Sequence, residues 1–160
     1  MTEEEARLKM AGICAGKEQC RFDISQKLYR LGIVGDKQEN ILSFLEKERF
    51  IDHERYSRSF SRDKCRFSGW GPYKIRMALR AKRIEESAIS EALEEIPNEE
   101  WEETAMKCGM LKAKSLDLNG DESRENRMKV FRYLLGKGFD VEMSKRVVKE
   151  VARKQRENNA

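Results

Sequence analysis

Ile24-Ser-Gln-Lys-Leu28-Tyr-Arg-Leu-Gly-Ile33 has two counterparts further along the chain, Ile75-Arg-Met-Ala-Leu79-Arg-Ala-Lys-Arg-Ile84 and Val130-Phe-Arg-Tyr-Leu134-Leu-Gly-Lys-Gly-Phe139. Each has an aliphatic residue, a leucine four later and a large apolar residue five beyond that. Leu28 recurs 51 residues on as Leu79, and that leucine 55 further on as Leu134. The agreement continues downstream at matching offsets: Ile41, Ala92 and Val147; Leu42, Leu93 and Val148; Leu45, Ile96 and Val151. A self-similarity of this period is the signature of a repeat architecture.

Apolar positions at i and i+4 before a turn, and at i, i+1 and i+4 after it, describe two short amphipathic helices. Gly32 and Gly138 fall where the first helix of a pair ends, the usual place for a positive φ. Asp36, Glu86 or Ser87, and Asp140 are expected to cap the second helix. A third helix precedes each pair, over 3–15, 54–66 and 99–114. Alternating strand patterns do not persist. The expected fold is therefore all-α, three tandem three-helix, helix-turn-helix-like repeats. Repeat 1 covers 1–50, repeat 2 covers 51–98, and repeat 3 covers 99–156 with a polar loop at 115–123; a tail follows at 157–160. The loop and the segment 155–160 are where disorder is expected.

The 160 residues are 39% hydrophobic and 39% charged, and 33 basic residues oppose 29 acidic ones. A net charge of +4 with 8% aromatics is not the composition of a disordered chain. No apolar run approaches a membrane span, and the acidic start Met1-Thr-Glu-Glu-Glu5 lacks the apolar stretch of a secretory signal. Cys14, Cys20, Cys65 and Cys108 never form a CxxC pair and fit neither a zinc site nor a disulfide framework; small thiols in a reducing cytoplasm are expected.

The small net charge hides segregation. From Arg49 to Arg83 there are eleven bases against three acids, from Glu85 to Glu103 nine glutamates and no base, and from Arg124 to Arg156 eleven bases against four acids. On a helix Arg55, Arg58, Arg62 and Arg66 form one narrow stripe, with Tyr56, Phe60 and Phe67 on a second stripe that can face the core. Lys74, Arg76, Arg80, Lys82 and Arg83 extend the basic face; Arg127, Lys129, Arg132, Lys137, Lys145 and Arg146 supply another. Guanidinium groups pair bidentately with phosphates or carboxylates. Two readings stay open: a surface for nucleic acid or an anionic partner, and a solvated face that folds back on the chain's own glutamates. Trp70, in the turn Gly69-Trp-Gly-Pro72, either packs on the adjoining unit or serves as an exposed interface anchor.

Catalytic constellations are not found. His53 is the only histidine, and a helix-start role for its neighbour Asp52 explains that segment better than acid–base chemistry. No phosphate loop, GxGxxG, HExxH or GxSxG occurs, so neither a cofactor nor a metal site is expected, and no enzyme.

Phe50-Ile-Asp-His-Glu-Arg-Tyr56, followed by Arg62, Gly69-Trp-Gly-Pro72, Ile75, Leu79 and Lys82-Arg-Ile84, resembles the RecX family of bacterial recombination regulators. Arg127-Met-Lys129, Arg132-Tyr-Leu-Leu and Lys137-Gly-Phe139 are similar to that family's C-terminal motif. The resemblance covers nearly the whole chain. His53 departs from a customary Asp, which bears on a helix cap or a salt bridge, and Arg83 from a customary Gly, which requires either that it adopt a glycine-like turn or that the turn be remodelled. The first unit, Cys20-Arg-Phe-Asp-Ile-Ser, fits only loosely. The resemblance implies an elongated, curved array of three-helix units. It further implies a cytoplasmic monomer that binds the RecA recombinase filament, blocks its growth or promotes its disassembly, and suppresses ATP hydrolysis, strand exchange and co-protease activity. Contacts with single- or double-stranded DNA are part of that expectation; the alternative is a helical DNA-binding module acting mainly through phosphate contacts.

Overall fold

The structure, a computed structural model, describes residues 1–159. Among them are nine helices and no strand: α1 Glu3–Gly16, α2 Arg21–Arg30, α3 Gly35–Lys47, α4 His53–Ser68, α5 Pro72–Ala81, α6 Glu86–Glu94, α7 Asn98–Ala113, α8 Ser123–Gly136 and α9 Val141–Asn158. They fall into three consecutive triplets, the all-α repeat fold that the sequence periodicity implies. No helix is long and apolar enough to cross a membrane among the described residues.

The repeat has a structural cause. Leu28, Leu79 and Leu134 are fully buried, as are Ile24, Ile75 and Val130 four residues before them. At each copy the helix stops in the same way. The N–H of Ile33, Ile84 or Phe139 donates to the carbonyl of the leucine five residues back, at 2.9, 3.2 and 3.2 Å. The residue between, Gly32, Arg83 or Gly138, has φ of 76°, 60° or 101°. Its own N–H donates to the carbonyl three residues back. This is the Schellman termination, with its apolar contact between the residue after the turn and the buried leucine. Arg83 thus takes the left-handed conformation for which glycine is the low-cost residue. Downstream, the equivalent positions Ile41, Ala92 and Val147, and Leu45, Ile96 and Val151, are all buried.

By compactness the chain divides into two units, Met1–Phe60 with Ala78–Ala92 and Ser61–Met77 with Leu93–Ala160, the division passing through α4, α5 and α6. In the first, Ala6, Met10 and Cys14 of α1, Ile24 and Leu28 of α2, and Ile41, Leu42 and Leu45 of α3 form one core with Ile33 and Ile51. Thr2 and Glu5 close a reciprocal capping box at the start of α1. Asp36 does not cap α3; that helix begins at Gly35, with Val34 at the cap position and no side-chain cap bond.

In the second unit α7, α8 and α9 pack on one another around Trp101, Ala105, Val130, Leu134, Val147 and Val151. Gly109 permits the close approach of α7 to α9, since a Cβ there would sit 3.0 Å from Val147 and 3.1 Å from Val151. Two turns of this unit also touch backbone to backbone. Gly71 N–H donates to Lys137 O at 2.7 Å, and Tyr73 N–H donates to Gly138 O at 3.0 Å.

The loop at 115–123 is ordered, contrary to expectation. Leu118 is fully buried. Gln155 accepts from Leu118 N–H at 2.8 Å and donates to Leu116 O at 2.7 Å, while Asn119 Nδ2 donates to Ala152 O at 2.9 Å. These bonds satisfy the loop's backbone and fix the end of α9, so the helix runs to Asn158 through the expected tail; Ala160 lies outside the described residues. Asp140 caps α9 as its position implies, accepting from Met143 N–H at 2.7 Å.

Candidate functional site

The basic residues separate into those that hold the chain together and those that face solvent. In the first unit Asp52 starts α4 by accepting from Arg55 N–H at 3.0 Å. That bond, with the guanidinium groups of Arg49 and Arg55, holds its carboxyl below the usual range against the opposing effect of burial. Arg55 itself turns inward: Nε donates to Glu18 Oε1 at 2.6 Å, and Nη2 to the carbonyls of Arg49 and Phe50 at 3.0 and 3.4 Å. Lys82 likewise pairs with Asp23 at 2.7 Å, with both side chains more than two-thirds buried. Arg83 is exposed and stacks over Phe22, 5.3 Å from the ring centre. Arg80 forks onto Glu86 at 2.9 and 3.1 Å. Arg58 has no acidic partner among the described residues.

His53 is a tertiary link. The N–H of Arg21 donates to His53 Nε2 at 3.1 Å, which places the ring proton on Nδ1, 3.1 Å from Glu85 Oε1. A ring engaged on both nitrogens serves structure: it satisfies an otherwise open donor at the start of α2.

In the second unit Arg62 and Arg66 reach Glu95 and Glu100, at 3.9 and 3.2 Å. Arg146 reaches Glu102 at 3.0 Å. The glutamate-rich segment therefore meets arginines of its own chain, as one of the two sequence readings requires. All six of these side chains are about a third or more exposed, and exposed pairs contribute only ~0–1 kcal/mol each. Such pairs exchange partners readily, so the arrangement does not remove the arginines from use by an anionic surface.

Trp70 is half-buried between two ammonium groups, Lys64 and Lys74, each 4.7 Å from the ring centre. Phe67, placed by its spacing on the core stripe, is 84% exposed; it sits in the last turn of α4, while Tyr56 is buried as expected. Tyr73 is also exposed, and Arg76 is half-buried. Lys137 donates to Ser68 O at 2.8 Å, and Arg127 donates to Leu118 O at 2.7 Å and Asn119 Oδ1 at 3.1 Å; both are structural contacts to neutral acceptors. Lys129, Arg132 and Lys145 are exposed without an acidic partner among the described residues. Arg124 and Lys149 are two further exposed bases, not singled out by the charge segregation alone. They share helix faces with Arg127 and Lys145, and their i, i+3, i+4 spacing is the signal that finds them.

Chemistry of a nucleophilic kind has no foothold in the thiols. Cys14, Cys20, Cys65 and Cys108 are buried and free, and burial pushes each above its ordinary pKa. The exposed guanidinium and ammonium groups on these helices are chemically suited to binding anions.

Residues 52–93 match the second three-helix domain of the RecX family. The chain is 32% identical over 127 residues to the regulatory protein RecX of Clostridium botulinum strain Eklund 17B, covering 79% of the chain and 59% of that protein. It is 27% identical to regulatory protein RecX of Prosthecochloris aestuarii, covering 84% of the chain and 85% of the relative. The chain spans about three-fifths of the length of the clostridial relatives it matches. A crystal structure of regulatory protein RecX superposes with a TM-score of 0.80 at 27% identity, over 91% of this chain and 70% of the other. RecX from Lactobacillus salivarius, at 21% identity, shares the fold with a TM-score of 0.78, over 93% and 96%.

Proposed function

The chain belongs to the RecX family, and from that premise we propose that it binds the filament of a RecA-type recombinase and inhibits it. Binding blocks filament growth or promotes disassembly, and so suppresses ATP hydrolysis, strand exchange and co-protease activity. The protein acts by occupancy, as a monomer without a catalytic group or cofactor of its own. The observation that carries this reading is the state of the α4 arginines. Arg58 has no acidic partner among the described residues, and Arg62 and Arg66 are held only by exposed carboxylates that a competing anionic surface can displace.

Exchange of Arg58, Arg62 and Arg66 to Glu tests it. Inhibition of the cognate recombinase is expected to be lost while far-UV circular dichroism and the melting temperature hold. Inhibition equal to the parent's would mean that the stripe is merely solvated.

A second reading, a DNA-binding module acting through phosphate contacts, is favoured by one observation: Lys129, Arg132 and Lys145 stand exposed on α8 and α9 without acidic partners among the described residues. It requires affinity for bare DNA that falls steeply with salt, by a slope near the number of phosphates neutralised, and it requires no recombinase.

A further inference from the structure

Helix α8 carries two apolar stripes. One, Val130 and Leu134, is fully buried in the core of the second unit. The other does not belong to that core: Met128 is 41% exposed and Phe131 is half-buried. With Val148 of α9 these two side chains floor a depression of about 450 Å³, whose rim is Arg124, Arg127, Lys145 and Lys149. The rim holds four cations and no carboxylate. Helical geometry explains the assembly, since 124, 127, 128 and 131 share one face of α8, and 145, 148 and 149 share one face of α9. Arg127 spends its hydrogen bonds on neutral oxygens, so its charge is not cancelled. Arg124, Lys145 and Lys149 have no acidic partner among the described residues.

We propose that this depression is a docking site for an acidic protein segment carrying one apolar anchor side chain. The inference does not depend on the recombinase reading. Charge complementarity selects the partner's sign, and the floor selects its shape. A thioether, a half-buried ring and a valine adapt to a single inserted apolar side chain. They offer no succession of flat aromatic platforms of the kind that single-stranded nucleic acid stacks on. The glutamate-rich stretch of a second copy, Glu85 to Glu103, does not fit, because it presents no apolar anchor beside Glu95, Glu100 and Glu102. The large apolar residues beside them, Ile96 and Trp101, are buried.

The test is a methyl and backbone NMR titration of the full chain with three probes. These are a capped hexapeptide of five acidic residues and one phenylalanine, the same peptide with alanine for phenylalanine, and a twelve-residue oligothymidylate. The acidic phenylalanine peptide is expected to shift the Met128 and Val148 methyls saturably, and the alanine peptide to bind about tenfold more weakly, the loss that an unburied aromatic side chain implies. Lys145→Glu with Lys149→Glu, and separately Met128→Glu at an exposed helical position that tolerates glutamate, are expected to weaken the peptide at least as much while leaving the spectrum folded. The proposal is overturned if the peptide leaves these methyls unmoved, or if the alanine peptide binds equally. Variants that bind like the parent, or an oligonucleotide that moves the same methyls more strongly than the peptide, overturn it too. A chain that binds the peptide yet leaves the recombinase uninhibited would instead refute the function proposed above. Inhibition without peptide binding would refute the docking site alone.

Discussion

Gly71→Ala should break the second unit. A Cβ at Gly71 would lie 2.5 Å from both the carbonyl carbon and the oxygen of Gly138, and 2.8 Å from the Phe139 ring. No positive φ is involved at Gly71, so the objection is purely steric. The obstacle is backbone, which cannot swing aside as a side chain can. Restoring a normal contact requires the two turns to part by about 1 Å, and the flanking bonds, Gly71 N–H to Lys137 O at 2.7 Å and Tyr73 N–H to Gly138 O at 3.0 Å, would then stretch out of range. Two lost backbone bonds at ~1–3 kcal/mol each where they stay unsatisfied, plus ~1–3 kcal/mol for the strain of overpacking, give roughly 3–9 kcal/mol. Both tryptophans, Trp70 and Trp101, belong to this unit, so fluorescence-detected melting reports on it selectively. For a unit of this size the midpoint should fall by at least about 10 °C. Gly12→Ala is the control. Gly12 lies inside α1 with nothing within 4 Å of a Cβ, and alanine there should stabilise by about 0.5–1 kcal/mol. A Gly71→Ala midpoint within about 2 °C of the parent would refute the contact between the turns.

Two further predictions concern single residues. Arg83 holds φ 60° and stacks over Phe22. Because alanine keeps the left-handed strain of about 1–2 kcal/mol and glycine relieves it, Arg83→Gly should unfold at higher urea than Arg83→Ala; the reverse order would show that the turn is unstrained. Asp52 is held below its ordinary pKa chiefly by the Arg55 N–H. Its contribution is therefore complete above the unfolded value of about 3.9 and is lost as pH falls through the folded pKa. The stability gap between the parent and Asp52→Asn, read from urea midpoints, should be largest near neutrality and close in acid; a gap independent of pH would remove the charge from the account.

What the sequence disclosed and what it hid divide along physical lines. The leucines at 28, 79 and 134 and their partners at fixed offsets were legible because burial on a helix obeys a short period. The helix ends were legible in Gly32 and Gly138, while Arg83 stood in a glycine's place only by the resemblance to the family motif. Contacts between residues far apart in the chain left no such trace. Nothing near Leu118 announces that Gln155, 37 residues on, will satisfy its N–H, so a polar, glycine-containing stretch read as disordered when it is clamped. Phe67 kept helical spacing with Tyr56 yet lies at a helix end where no core remains to receive it. The arginine stripe on α4 was visible, but spacing could not reveal that Arg55 turns to Glu18 while Arg62 and Arg66 meet the glutamates that follow. The basic rim at α8 and α9 was equally hidden, since its members are scattered among other bases and only the packing of the two helices brings them around one apolar floor.

The ATPase rate of the cognate recombinase on single-stranded DNA, with this protein titrated in at fixed salt, tests the central claim most directly. The proposed targeting of the filament requires inhibition at concentrations well below those that coat the bare DNA. Inhibition that appears only once the DNA itself is saturated would contradict it and make competition for DNA the explanation.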